Sequence, residues 1–248
     1  MNQKLIYQII NEDFYRNILM DISKKIESRN QIDIYTDGSM IDIKKPTCKM
    51  GIGWFLANTD LQVEQFTAST SKYPSSTKAE IFALLTALLV CPKNSQVNIY
   101  IDSNNTINRF NKIISNDALT YTQLLKLLNY EVWLNIKHIV ENLLLRVQLH
   151  KVKAHSNDKL NDKADMLAKQ GTTCQELTIN TSTAISLEDN KISIEQPINK
   201  YWKAYNDAKN FCNFINLKRN NQTKIGTLNN NIDWKYMLKN YNKDDNNN

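Results

Sequence analysis

Apolar residues recur at threes and fours over the first thirty positions: Leu5, Ile6, Ile9 and Ile10, then Ile18, Leu19, Ile22 and Ile26. That spacing gathers them on one helical face. Lys24, Lys25 and Arg29 close the segment where cations suit a helix C-terminus. The pattern then shortens to strand-like runs at 32–35, 50–56 and 63–69, with Asn58, Thr59 and Asp60 as the turn between the last two. The first run ends at Thr36, Asp37, Gly38 and Ser39, read as its terminus. These runs predict a three-strand antiparallel meander.

Ser75, Ser76 and Thr77 open a helix that reaches about Val90 and stops near Pro92. A short apolar strand at 97–101 follows, expected to be buried on both faces. Helical patterns start near Asn104 and cover 119–128 and 133–145. Residues 146–152 alternate as a strand, and 160–169 form a last core helix with Gly171 as its cap. A meander followed by strand–helix alternation predicts an α/β fold, a mixed sheet with helices packed on its faces.

After Gly171 the texture changes. The expected organisation is an N-terminal helical extension (1–30), a core domain (31–171), a linker (172–200) and a C-terminal helical extension (201–248). Trp202, Tyr205, Ala208, Phe211 and Ile215 keep helical spacing. Trp234, Met237, Leu238 and Tyr241 suggest a short further helix before a polar tail at 244–248, expected to be disordered. Both extensions are expected to pack against the core, and a core-facing stripe is favoured over base stacking for Tyr201, Trp202 and Tyr205.

Composition narrows the setting. The net charge of +6 and pI of about 9.0 suit a polyanionic partner without requiring one. Cys48, Cys91, Cys174 and Cys212 form no C-x-x-C pair, so free thiols in a reducing compartment are expected. The longest apolar run, 81–90, is about half of what a membrane helix needs. The N-terminus meets Asn11, Glu12 and Asp13 too early for a secretory leader. The expected protein is soluble and intracellular, cytoplasmic or nuclear, with no membrane partner.

Five residues stand out by position. Asp37 ends the first strand and Asp102 the fourth; Glu80 begins the first core helix; Asp165 lies in the last, and His155 in the loop before it. Singly, each has a structural use. Asp37-Gly38 is a turn pair, Thr77-x-x-Glu80 a capping box, Asp102-Ser103 a helix cap, Asp165 with Lys169 an i,i+4 pair. Together they differ. If strands one and four are neighbours, Asp37 and Asp102 emerge at one edge of the sheet, where open α/β sheets place ligands. Four carboxylates converging there would repel unless cations were bound. Oxygen donors select hard ions, Mg²⁺ or Mn²⁺. Two such ions roughly 4 Å apart would clamp the attacking water and leaving oxygen of a phosphoryl displacement.

The segments IYTDGS (34–39), STKAEIFALLTAL (76–88), IYIDSN (99–104) and KVKAHSNDKLNDKADMLAK (151–169) resemble type I ribonuclease H, in that family's order and at compatible spacing. The resemblance covers about 140 residues. It implies an RNase H-like fold, with five strands in a mixed sheet: the antiparallel meander beside two parallel strands, helices on both faces. It implies endonucleolytic hydrolysis of the RNA strand of RNA–DNA hybrids by a monomeric enzyme. Asp37 would bridge both metals, Glu80 and Asp102 hold the metal near the leaving 3′ oxygen, and Asp165 help hold the metal that activates water. His155 would assist proton movement or product release, and Asn161 would support the site. Ser75, Ser76 and Thr77, with the backbone near Gly38 and Ser39, match positions that contact the hybrid.

Departures are few. The basic, Trp-containing protrusion of some members is absent or reduced, since only Arg109, Lys112 and Lys126 are basic in that region. Ala154 stands where a glycine often precedes the histidine. The motif style, with Trp133 upstream, is similar to ribonuclease H domains of non-LTR retroelements, which implies a fragment, a domesticated copy or a short reading frame. The alternative is a catalytically degraded nucleic-acid-binding domain on the same scaffold. A DNA-acting transposase of the broad fold is disfavoured by the acidic order and the His155 loop.

Overall fold

Asn11 and Glu12 interrupt the N-terminal periodicity, and two helices form, α1 (Asn2–Ile9) and α2 (Asp13–Lys25). This computed structural model describes residues 2–217, apart from 44, 46, 58–63, 73, 116–122, 124, 125, 154–157, 181–187, 190, 191 and 194–196. The expected turn at 58–60, most of the helical stretch at 119–128 and the elements beyond 217 lie outside the described residues.

Five strands follow the expected order: β1 (Gln31–Ile41), β2 (Lys49–Leu56), β3 (Gln65–Thr70), β4 (Gln96–Ile101) and β5 (Arg146–Lys151). They form one mixed sheet in the order β3-β2-β1-β4-β5. The meander is antiparallel, and β1, β4 and β5 run parallel. Between them lie α3 (Ser76–Val90), α4 (Asn104–Ile114) and α5 (Tyr130–Leu143), and α6 (Lys159–Gly171) closes the layer set.

β1 is longer than its apolar run predicts. Its parallel ladder with β4 ends at Tyr35–Tyr100, but its antiparallel ladder with β2 continues through Asp37–Gly53 and Ser39–Gly51 to Ile41–Lys49. The TDGS segment is therefore strand, not turn, because β2 supplies hydrogen-bonding partners past the point where β4 ends.

α3 is apolar all round, and every residue from Lys78 to Val90 is buried, as such a helix requires. It packs on one sheet face, with α2 and α5 against it. α6 packs over β1, β2 and β3. β4 therefore alternates instead of being buried on both faces. Val97, Ile99 and Ile101 are buried, while Asn98 and Tyr100, on the other face and beyond the strands that α6 covers, are half-buried.

Gly171 does not take a left-handed cap; it is the last helical residue, and no described glycine has positive φ. Its use is close approach, since a Cβ there would lie 2.7 Å from the carbonyl oxygens of both Ala68 and Ile52. The next residues, expected to begin a linker, are packed down. Leu177 is fully buried, its N–H donates to the Ser69 carbonyl, and Glu12 accepts from Thr178 N and Oγ1 at 2.9 and 2.6 Å. Leu5, Ile6, Ile9 and Leu19 of the N-terminal helices join the same apolar core as β1 and α3.

The chain divides into two compact units, Met1–Pro197 and Ile198–Asn248. The first also contains a two-residue pairing of β6 (Glu188–Asp189) with β7 (Ile192–Ser193). The described part of the second is α7 (Ile198–Ile215) and the two residues after it. Among the described residues no helix is long and apolar enough to cross a membrane.

Candidate metal centre

Three carboxylates meet because three elements end or cross at one edge of the sheet. β1 and β4 are parallel neighbours, so the residues after their ladder emerge together. Asp37 stands two residues past the β1–β4 ladder, and Asp102 directly follows β4.

Glu80 arrives from α3. Ser75, not Thr77, is the N-cap of that helix, and its Oγ accepts from Lys78 N at 3.1 Å. Thr77 lies inside the first turn, so the capping-box use of Glu80 does not hold. Its carboxylate is left for the sheet edge. Gly38 permits the approach: a Cβ there would overlap the Glu80 nitrogen and lie 2.6 Å from the Ala79 carbonyl carbon. Asp102 is likewise released from capping. Ser103 caps α4, accepting from Thr106 N at 3.3 Å and Thr106 Oγ1 at 2.9 Å.

One ligand oxygen each from Asp37, Glu80 and Asp102 lies within 4.8 Å of the others. Asp37 and Glu80 are buried, and Asp102 is half-buried. Asp37 Oδ1 accepts from Gly38 N at 2.8 Å. Glu80 Oε2 is buried without a hydrogen-bond partner. An unsatisfied buried carboxylate oxygen is costly, and a cation is the partner that this donor set suits.

Electrostatics agree. Burial, then the charge of Asp102, pushes the Asp37 carboxyl up to about 7. Burial, then Asp37 and Asp102, holds Glu80 well above the ordinary carboxylate range. Without a cation Asp37 and Glu80 are biased toward their protonated forms. A divalent ion would replace those protons, as like charges at one site require.

The fourth carboxylate stands apart. Asp165 on α6 is outside the group of three, and its Oδ2 accepts from Lys169 Nζ at 2.6 Å. Its charge nonetheless contributes to raising Asp37, so it is electrostatically part of the neighbourhood. His155 lies outside the described residues. Asn161 is buried in the first turn of α6, which Asp158 caps through Leu160 N and Asn161 N. Gly38, Ser39, Ser75 and Thr77 are half-buried near this edge, and Ser76 is exposed.

Two lysines escaped the sequence reading. Lys151 Nζ donates to the carbonyl oxygen of Asp102, the residue after Ile101, which is Lys151's partner in the β4–β5 register. Lys78 is buried, donates to the Lys72 carbonyl at 2.6 Å and lies 5.6 Å from the Phe82 ring centre. A lysine inside an otherwise apolar helix was the available signal for the second. The first becomes visible only once β5 is paired with β4.

The profile of the RNase H family matches residues 29–173. Ribonuclease H of Prosthecochloris aestuarii is 29% identical over 146 residues, 57% of this chain and 95% of that protein. Ribonuclease H of Albidiferax ferrireducens is 27% identical over 145 residues, 57% of this chain and 94% of that protein. Among solved structures, native prototype foamy virus protease–reverse transcriptase is similar with a TM-score of 0.42 and 24% identity, over 59% of this chain and 21% of that one.

Proposed function

The chain belongs to the RNase H family, and we propose that it cleaves the RNA strand of RNA–DNA hybrids endonucleolytically, as a monomer, with two Mg²⁺ or Mn²⁺ ions. The observation that carries this reading is the carboxylate centre, where Glu80 Oε2 is buried and unpartnered beside Asp37 and Asp102.

Asp37, Glu80 and Asp102 hold the ions, with Asp165 the fourth ligand once Lys169 releases it. Bound divalent ions supply the charge that activates water and stabilises the leaving oxygen. His155 accepts or returns a proton and aids product release. Asn161 keeps the start of α6 in register, so that Asp165 faces the centre. The hydroxyls of Ser75, Ser76 and Thr77 and the backbone at Gly38 and Ser39 contact the hybrid, where ribose 2′-OH groups mark the RNA strand. Lys151, by binding the Asp102 carbonyl, fixes the turn that presents that carboxylate.

The test is cleavage of a labelled hybrid with Mg²⁺ or Mn²⁺, comparing the natural chain with Asp102→Asn. Metal-dependent cutting of the RNA strand, abolished by Asp102→Asn, is the expected result. Hybrid binding without cutting in either metal would replace this reading with that of a degraded binding domain.

A further inference from the structure

The net charge is unevenly placed. Residues 198–248 carry nine Lys/Arg and four Asp/Glu, a net +5 of the chain's +6. Residues 1–197, which hold the carboxylate centre, are nearly neutral, with 22 basic and 21 acidic residues. The attraction for a polyanion is therefore concentrated in the second unit.

That unit also displays aromatic surface. All residues from Trp202 to Asn210 on α7 are exposed, Trp202 by 49% and Tyr205 by 44%. With half-buried Tyr201 these rings form one cluster. Trp202 and Tyr205 centroids are 5.7 Å apart at 88°, and Tyr201 lies 5.6 and 6.4 Å from them. Helical periodicity places Lys209, four residues after Tyr205 and seven after Trp202, on the same face, and Asp207 on the opposite one. Lys200 and Lys203 flank the cluster in sequence.

We propose that α7 is a stacking platform for single-stranded nucleic acid. Unpaired bases stack on Trp202 and Tyr205, and Lys209 on the same face engages phosphates. Exposed rings interleaved with cations are what sequence-tolerant single-strand binding needs. A duplex keeps its base faces inside the stack and offers only phosphates and groove edges to such a surface.

The test is fluorescence anisotropy of a labelled oligothymidylate with the full chain in EDTA, so that binding is read without hydrolysis and independently of the carboxylate centre. Trp202→Ala with Tyr205→Ala is expected to weaken binding about tenfold or more. Trp202→Phe, which keeps a ring face, should bind nearly as the natural chain does. Lys209→Glu should weaken binding and flatten its salt dependence. Of the other three tryptophans Trp54 and Trp133 are buried and Trp234 is common to both chains, so the part of the oligonucleotide quenching that is lost in Trp202→Phe reports on Trp202. Unchanged affinity in the double variant would overturn the proposal. So would equal affinity for a blunt duplex, or no measurable single-strand binding at low salt.

Discussion

Lys169 Nζ lies 2.6 Å from Asp165 Oδ2, and its ammonium is raised first by that hydrogen bond, then by the charge of Asp165 and, more weakly, of Asp37. A lysine thus occupies the carboxylate that stands outside the cluster of three, and a cation entering the centre competes with an ammonium already there. Both partners are partly exposed, so the pair itself adds little stability, about 0–1 kcal/mol. Lys169→Ala is expected to leave the metal-free melting temperature within a few degrees while tightening Mn²⁺ binding about threefold to tenfold by calorimetry. Weaker Mn²⁺ binding in the variant would show that Lys169 does not compete for Asp165.

The raised carboxyls set a pH dependence. Asp37 titrates near 3.8 when unfolded and at about 7 when folded, and Glu80 shifts the same way. A raised acid contributes stability that is complete below the unfolded value and lost as pH climbs through the folded one. The metal-free protein should therefore lose stability between about pH 4 and pH 7, by roughly 4 kcal/mol at most from Asp37. Asp37→Asn should match the natural chain near pH 4 and be the more stable of the two at pH 8 in EDTA. Mg²⁺ or Mn²⁺ should raise the melting temperature of the natural chain much more at pH 8 than at pH 5, because protons and metal compete for the same oxygens. A metal-induced shift that is the same at both pH values would contradict this assignment.

Gly38 couples the sheet to α3. Because a Cβ would meet the Glu80 nitrogen and the Ala79 backbone, Gly38→Ala must push the helix start away from β1. Overpacking of this kind costs about 1–3 kcal/mol, and it also moves Glu80 from Asp37. The expected outcome is a lowered melting temperature together with a loss of Mn²⁺ affinity. A destabilised variant with undiminished metal affinity would mean that Glu80 reaches the centre without this contact.

Much of this was legible in the sequence because strand ends can be read from where apolar alternation stops. Asp37 and Asp102 stand out that way and Glu80 by its place in the first turn of a helix, while the placing of the meander beside two parallel strands comes from the family resemblance. What escaped was pairing-dependent. The extension of β1 to Ile41 depends on β2 supplying partners beyond β4. The half-exposure of Asn98 and Tyr100 depends on which strands α6 covers. The Lys151–Asp102 bond joins residues 49 apart in the chain. The cap of α3 was misplaced by two residues because Ser75, Ser76 and Thr77 are all able caps. Only the backbone decides, and at Ser75 it is extended.

That ambiguity yields a last prediction, which separates capping from substrate contact at Ser75. Its Oγ accepts from Lys78 N, so Ser75→Ala should cost about 1 kcal/mol. Ser75→Asp keeps an acceptor and adds a negative charge that a helix N-terminus favours, so the melting temperature should be held or raised. The same charge would repel a phosphate of the hybrid. If Ser75 faces the substrate, Ser75→Asp should raise KM for hybrid about tenfold with kcat much less affected, while Ser75→Ala should show the reverse balance, a clear stability loss and a small KM change. An Asp variant with unaltered KM and full stability would leave Ser75 as a cap alone and shift the hybrid contact to Ser76 and Thr77.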